Sequence, residues 1–587
     1  MFLATTALTE FWDRDSDPLL MLGAWCLRDD QRSRWERLPH TVLPCPWDDR
    51  VRFYRACGEL DRIYEAILPW LGQALDGLHG GPPKSTRYWR IVVGPWLFRY
   101  LHALFDRYTC VRDALATDGN LRTWTLSPAL FTTPFDTRDY IGLVLDDHYN
   151  LQIVSEVVAA LGMAHETRQV EHWPHLRSMR ASPGTASTGI ADAWLRRHPG
   201  DVALSDMSYR KSDLIRISVR SRGRVRPLRF PAVSPSLVSL NDTFRQTLRN
   251  PPMATEFGRV LGHSLPLAVP RLFIEDFARL RASVASGGSP PKIVISAAGW
   301  HDDEGFKCYA AECMEQGALL ISAQHGGAYG TFRAQPQEDH EVAVADAFLT
   351  WGWKYTPKHV PLPSAHLARV VSSTRRRQSD AKGILLLTTS LPRYLYLFQS
   401  VPVAGQFDGY LDWQRRFVER LGHLTSETTV RLHPAEYGHG IQERLRRASS
   451  EIKFDAGRAS EDAMASAALV VIDHPTTAML ESIAINRPTL LFWDPARWEA
   501  RAEAQFVLDL LRGVGVLHYT PEGAAEAAGR VAHDAVAWWA QPQIQDARSV
   551  VVSMLADTGV DWRGALLRQL QTFEGRVSCG SAPTSNI

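Results

Sequence analysis

At 587 residues the chain is too long for one ordinary hydrophobic core, and its 45% hydrophobic content fills two or three, so at least two domains are expected. Sixty-five Lys and Arg against 64 Asp and Glu leave a net charge of +1, which excludes a global field drawing in nucleic acid. The seven cysteines (Cys26, Cys45, Cys57, Cys110, Cys308, Cys313 and Cys579) are odd in number and form no CxxC pair, which argues against a disulfide framework or a zinc knuckle and fits a cytoplasmic protein.

In chain order, the apolar opening Met1-Phe-Leu-Ala reads as a first strand, with no basic region of a secretory signal behind it. Helical patterns follow over Val51–Leu78 and Arg87–Tyr108. From Arg210 to Arg229, arginines at 216, 220, 222, 224 and 226 alternate in part with Ile215, Ile217, Val219 and Val225, a period of two that predicts a strand with one cationic face. Such a face suits anionic lipid or a lipid-diphosphate acceptor, or simply solvent. Strands are then expected at Lys292–Ser296, Ala318–Ser322 and Asp346–Trp351, with a helix over Glu304–Glu315 between the first two. The polar passage from Pro357 to Lys382 reads as an interdomain connection.

Beyond it the alternation is cleaner. Strands are expected at Ile384–Thr388, Thr429–Leu432, Ile452–Phe454, Ala468–Ile472, Thr489–Phe492 and Val516–His518, with helices such as Leu411–Leu421 and Thr476–Ile485 between or after them. The expected fold class is therefore α/β: two Rossmann-like, doubly wound domains facing a cleft, with helical elaborations in the N-terminal half. The expected boundaries are 1–370 for the acceptor or catalytic domain, 371–382 for the linker, 383–573 for the nucleotide-donor domain and 574–587 for a disordered tail. No apolar run approaches the roughly 20 residues of a membrane span.

Three clusters carry chemistry, each just after an expected strand, where ligands of open α/β sheets bind. The first is Arg431-Leu-His433-Pro434-Ala-Glu436, whose imidazole can donate to a phosphate. The second is Asp473-His474-Pro475-Thr476-Thr477, followed by Glu481 one turn into a helix; free amides and hydroxyls at a helix N-terminus make an anion site or an ordinary cap. Glu481 is placed to hold a ribose hydroxyl. The third cluster joins Asp302, Asp303 and Glu304 to Gln324-His325-Gly326-Gly327. Its acids and His325 suit proton abstraction or nucleophilic attack, and the glycines admit a ligand close to the backbone; a capped helix start is the alternative for Asp302 and Asp303.

Arg431-Leu-His433-Pro434 and Asp473-His474-Pro475-Thr476-Thr477 resemble the HP and Ser/Thr motifs of bacterial GT-B sialyltransferases, polysialyltransferases and Kdo transferases. That resemblance implies a CMP-activated sugar as co-substrate, with His433, Thr476 and Thr477 on the CMP phosphate and Pro434 near the cytosine; Glu436 is taken as a further nucleotide ligand. Thr-Thr departs from the usual Ser-Ser. The strings Leu3–Trp12, Leu22–Leu27, Trp47-Asp48-Asp49-Arg50, Arg87–Arg90, Gly94-Pro-Trp96, Asp106-Arg107-Tyr108, Gln324–Gly327 and Trp351-Gly-Trp353 also resemble a family of transferases from O-antigen and other surface-carbohydrate gene clusters. Together these imply transfer of Kdo or another nonulosonate to a glycan or lipid-linked glycan acceptor. The work would be done without metal or resident cofactor, in the cytoplasm, with peripheral contact at the inner face of the membrane and no nucleic acid partner. Catalysis is assigned to Asp303, Glu304 and His325, and substrate binding to Asp302, Gln324, Gly326 and Gly327. The competing readings are a CDP-polyol phosphotransferase, a transferase using a UDP-, GDP- or dTDP-sugar, a metal-dependent enzyme using Asp15-Ser-Asp17, a zinc hydrolase built from His433, His439 and His474, and a non-catalytic carbohydrate-binding subunit.

Overall fold

The computed structural model describes residues 1–15, 18–170, 173–174, 195, 198, 200–285, 289–374, 381–455, 457 and 459–578. Three sheets organise it, and every strand pairing within them is parallel. The first has the order His40–Val42, Leu19–Met21, Phe2–Ala4, Arg122–Leu126, Ala164–Arg168. The second runs His359–Pro361, Ala347–Thr350, Leu319–Ala323, Ile293–Ser296, Val202–Ser205, Val225–Pro227. The third runs Lys453–Phe454, Thr428–Arg431, Ile384–Leu387, Leu469–Ile472, Thr489–Phe492, Leu517–His518. Central strands such as Ile293–Ser296, Ile384–Leu387 and Leu469–Ile472 are buried at every position, as parallel strands covered by crossover helices on both faces must be.

The mixed α/β class with parallel sheets is as the alternation predicts, but the span 1–370 holds two sheets where one Rossmann-like domain was expected. The opening strand of the additional sheet is legible in the apolar run at Met1-Phe-Leu-Ala, but that it belongs to a separate sheet is not, because three of the strands, Phe2–Ala4, Leu19–Met21 and His40–Val42, have only three residues each.

Helices α1 (Arg50–His79) and α2 (Gly94–Thr117) pack against each other. Asp49 caps α1 by accepting from the amides of Val51 and Arg52 at 2.9 and 3.1 Å. Helix α2 is buried nearly all round and carries its own ion pair inside, Asp106 with Arg107. Trp47 Nε1 donates to Asp106 at 2.6 Å, and Arg107 donates to Asn150 and, at 2.6 Å, to the carbonyl of Leu395. Two of the strings that carry the family resemblance, around Trp47 and Asp106-Arg107, are thus a buried polar frame.

The segment expected to be a cationic strand is helix α3 (Lys211–Arg220), with a strand only at Val225–Pro227. Asp213, Ile217 and Ser221 are buried at intervals of four, a helical face, while Ile215 and Val219, 64% and 71% exposed, point to solvent. The alternation in the sequence coincided with a helix whose inward stripe is narrow and partly polar.

The remaining helices that matter to the site are α4 (Glu304–Glu315), α5 (Pro336–Val344), α6 (Ala365–Thr374), α7 (Phe407–Leu421), α8 (Thr477–Ala484) and α9 (Trp562–Ser578). Val371–Thr374 of the expected linker is the end of α6, and 375–380 lie outside the described residues. Likewise Glu574–Ser578 of the expected tail is helical, and 579–587 lie outside. The main hydrophobic core runs from Phe2 to Ala556 across all three sheets. A second cluster on one face of the second sheet is closed by Trp562, Leu566, Leu570 and Phe573 of α9, and Arg563 of that helix pairs with Asp213 of α3.

Candidate active site

The carboxyl ends of the second sheet open onto a cavity of about 360 Å³. Thr350 ends one of its strands, His325 and Trp351 lie just beyond strand ends, His366 and Arg369 come from α6, and Trp562 and Leu566 of α9 close one side. A neighbouring cavity of about 330 Å³ shares the wall Met207-Ser208-Tyr209 and contains Asp206, Arg229 and Asp303. Ser208 in this shared wall and Asp206 beside it hold φ values of 55° and 37°, a conformation L residues adopt at a cost and one that collects at ligand sites.

Behind His325 lies a buried hub. The Glu341 carboxylate, on α5, accepts from His301 Nε2 at 2.7 Å, Ser322 Oγ at 2.5 Å and Tyr329 Oη at 2.5 Å. Tyr329 Oη in turn meets His325 Nε2 at 3.1 Å, and His325 Nδ1 stands 3.9 Å from Glu341. Burial pushes Glu341 up to about 7, against the pull of His325. It pushes His301 down to about 3, with Arg99 adding to it, and lowers His325 as well.

His301, His325 and Glu341 each offer a ligand atom, all within 4.8 Å of one another. Arg99 Nη2 faces His301 Nδ1 at 3.4 Å, and a guanidinium can only donate. The proton of His301 therefore sits on Nε2, directed at Glu341, where a metal would need a lone pair. The arrangement suits the holding and passing of protons better than a cation.

The three expected acids have separate surroundings. Burial acts upward on Asp302, but the Arg138 guanidinium 3.1 Å away outweighs it and holds the carboxyl below its usual range. Glu304 is committed to the Lys307 ammonium at 2.9 Å and the Thr137 amide at 3.0 Å. Asp303 caps α4 through the Phe306 amide at 2.9 Å, yet burial, with Asp206 and Asp302 nearby, pushes it up to about 6. It is the only one of the three that lines a cavity among those described. Gln324, expected to touch substrate, is held on both sides: its Nε2 donates to the Gly326 carbonyl at 2.9 Å, and its Oε1 accepts from the Trp351 amide at 2.8 Å and Trp353 Nε1 at 2.9 Å.

In the third sheet, Leu387 pairs with Arg431 on one side and Ile472 on the other, so the turns carrying His433 and His474 leave the sheet at one level. His433 is exposed; its Nδ1 accepts from the Ala435 amide at 3.1 Å, which leaves Nε2 for a ligand. Pro434 beside it is exposed. Glu436 is saturated by the amides of Gly438, His439 and Gly440 at 2.6 to 3.1 Å and shapes its own loop. His474 is buried and held by Asp473 at 2.8 Å; His439 bonds the Leu391 carbonyl, so no three-histidine centre forms from His433, His439 and His474 among the described residues. Ser16 and Asp17 of the Asp-x-Asp string lie outside the described residues.

The parts of the chain that carry the second and third sheets touch beside the cavity. The Gly327 amide donates to Thr477 Oγ1 at 2.9 Å, and a Cβ on Gly327 would stand 2.5 Å from the Thr477 nitrogen, so only glycine permits the approach. Thr476 precedes α8 as its N-cap without a side-chain bond to the helix. Glu481, one turn into α8, does not face an open ribose position: it takes His366 Nε2 at 2.6 Å, while His366 Nδ1 meets Arg369 Nη2 at 2.7 Å.

The family model described as LIC12162 family transferase matches residues 1–570. The chain belongs to this family. It is accordingly a transferase, as its strand-end motifs anticipate. No curated protein matches it. Among solved structures the family member is similar to an α,α-trehalose-phosphate synthase (UDP-forming) from Burkholderia vietnamiensis, at 13% identity over 65% of this chain and 98% of that one, with a TM-score of 0.34. It is also similar to MurG from Acinetobacter baumannii (9%, 64% and 100%, TM-score 0.32) and to the calicheamicin glycosyltransferase CalG4 (12%, 66% and 94%, TM-score 0.31). Scores at this level carry no functional inference.

Sequence reasoning gave no role to His301, although it stands directly before Asp302 in the third cluster, and missed Glu341, His366 and Arg369. Glu341 is the hidden side of His325, 16 residues further on in the sequence, and nothing local marks it. His366 and Arg369 lie within the passage read as linker; the pattern Leu367, Val370 and Thr374, buried at helical spacing, was the available signal.

Proposed function

We propose that this transferase is a glycosyltransferase of GT-B type, moving Kdo or a related nonulosonate from a CMP-activated donor to a surface-polysaccharide or lipid-linked glycan acceptor. The observation that carries the reading is the meeting of two parallel sheets by their carboxyl ends at Gly327 and Thr477, beside a cavity that offers His325, His366 and Arg369. The motif resemblance at His433-Pro434 and Thr476-Thr477 supplies the donor class.

In this reading the donor phosphate sits between His433 Nε2 and the start of α8, whose free amides and Thr476 hydroxyl stabilise charge on the departing CMP without a metal. Asp303, raised to about 6, has the basicity to take a proton from an acceptor hydroxyl and lies in the adjoining cavity. His325, backed by Tyr329 and Glu341, faces the larger cavity as the second acid–base group. Closure at Gly327 and Thr477 aligns the two halves and excludes water.

The test is a thermal-shift screen of CMP, CDP, UDP, GDP and dTDP on wild type and His433→Ala. Selective stabilisation by CMP that disappears in the variant is expected; preference for another nucleotide discards the donor class. No helix among the described residues is long and apolar enough to cross a membrane. Peripheral contact with anionic lipid is assigned to α3 and the turn after it, where exposed Ile215 and Val219 stand beside Arg216, Arg220 and Arg222. Replacing Arg216, Arg220 and Arg222 by Ser is expected to abolish co-sedimentation with phosphatidylglycerol vesicles, and undiminished co-sedimentation refutes the contact.

A further inference from the structure

A third cavity, of about 230 Å³, opens at the carboxyl ends of strands Leu469–Ile472 and Thr489–Phe492, on the side of the third sheet covered by the first turns of α7. It is separate from the cavity around His325 and Arg369, and the proposed transfer chemistry makes no use of it. Its walls are unusually aromatic, with Tyr410 and Trp413 from α7 and Trp493 and Trp498 from the segment after the strand.

Two polar atoms on these walls have no partner. Gln414 Oε1 and Trp493 Nε1 belong to residues only 1% exposed, and neither makes a hydrogen bond. Burying an acceptor and a donor unpaired is costly, and native structures keep such groups where a ligand or water completes them. Asp473 is already satisfied: it takes Tyr410 Oη and Gln414 Nε2, both at 2.8 Å, and holds His474 with its second oxygen. At the rim, Asp494 accepts the Ala496 amide through one oxygen, and Arg497 pairs with Asp48 at 3.0 Å.

We infer that this cavity is a glycan subsite that holds one neutral pyranose ring, distinct from the donor site. A pyranose presents an apolar face for indole stacking and hydroxyls around its whole edge, each able both to donate and to accept. That matches an unpaired acceptor on α7, an unpaired donor after the strand and a carboxylate at the rim, which approach the cavity from different walls. Cytosine, the base of the proposed donor, carries O2, N3 and its 4-amino group contiguously along one edge, so it does not meet groups set on several walls at once. The volume admits a single ring, below the range of about 300–1,000 Å³ that whole drug-sized ligands occupy. Through Asp473 and His474 the subsite is joined to the turn carrying Thr476 and Thr477, so a ring held here lies one hydrogen-bonded step from the cleft.

The experiment is saturation-transfer difference NMR on the full chain with the methyl pyranosides of glucose, galactose, N-acetylglucosamine and rhamnose, each challenged with cytidine and with CMP. At least one glycoside is expected to give saturable transfer that neither nucleoside nor nucleotide displaces. Trp413→Ala, at a partly exposed wall position, is expected to weaken it about tenfold, and Trp413→Phe to restore most of the affinity. Melting curves of both variants check that the fold is kept; if Trp413→Ala fails to fold, the displacement result on wild type decides. Absence of saturable transfer from every glycoside, or displacement by cytidine, overturns the inference. The second outcome would make the cavity a base site, and either can occur whether or not CMP stabilises the protein in the donor screen.

Discussion

Replacing Asp303 by Asn tests whether this acid is kept at the expense of stability. With its folded pKa pushed up to about 6 from an ordinary 3.8, Asp303 binds a proton more tightly in the folded chain than in the unfolded one. Folding is therefore opposed as pH rises through the interval between those values, and the full penalty, roughly 2–3 kcal/mol for a shift of about two units, stands above pH 6. Asn can still accept from the Phe306 amide, so the cap at 2.9 Å survives the exchange. The variant should then melt above wild type at pH 8 by roughly 5 °C, taking 2–4 °C per kcal/mol for a cooperative unit of a few hundred residues. The advantage should fall by about half at pH 5, while transferase activity is lost. Scanning fluorimetry of both proteins across this pH range measures it. Glu341 is raised as well, to about 7, but is present in both proteins and cancels in the difference. A variant that melts below wild type at pH 8, or a difference that does not grow with pH, refutes the account of Asp303.

Gly327→Ala places a methyl group 2.5 Å from the Thr477 nitrogen, and because the obstacle is backbone the two sheets must part by a fraction of an ångström or more. A loss of about 10²-fold in turnover is expected from that misplacement, with a normal melting temperature; unchanged turnover would show that the Gly327–Thr477 contact is not the working arrangement. His366→Ala strands the buried Glu481 carboxylate and should cost about 3 kcal/mol, most of it recovered in the His366→Ala, Glu481→Gln double variant. Strict additivity in chemical unfolding would mean that the pair is not coupled.

The third sheet was the most legible part of the chain because its central strands Ile384–Leu387, Leu469–Ile472 and Thr489–Phe492 are apolar runs bounded by turns, with helices at the expected spacing between them. In the first sheet the opening strand was read, but runs of three residues are too short for any period to show the separate sheet they build. At the site, strand-end position marked out His325, His433 and Asp303. It also marked Glu304 and Glu436, which bond to their own surroundings, and Gln324, which does so while lining the larger cavity, because a polar residue after a strand has the same sequence signature whether it faces a ligand or a neighbouring amide. The arginines near 216–226 misled for a related reason: a partly polar inward face, Asp213 and Ser221 about Ile217, hides the helical stripe. Partners such as Glu341 and His366 are determined by how helices dock on the sheets, information that no window of sequence contains.

The return of α9 to the second sheet bears on how the chain is made. Trp562, Leu566, Leu570 and Phe573 complete a hydrophobic cluster whose other members begin at Val202, and Trp562 and Leu566 also wall the larger cavity. On the ribosome, the second sheet must wait with one face uncovered until Trp562–Phe573 has been synthesised, whereas the third sheet has its strands complete by His518. The pocket around His325 thus closes after the third sheet is made, and a nascent or truncated chain ending before Trp562 would present that apolar face to chaperones rather than to substrate.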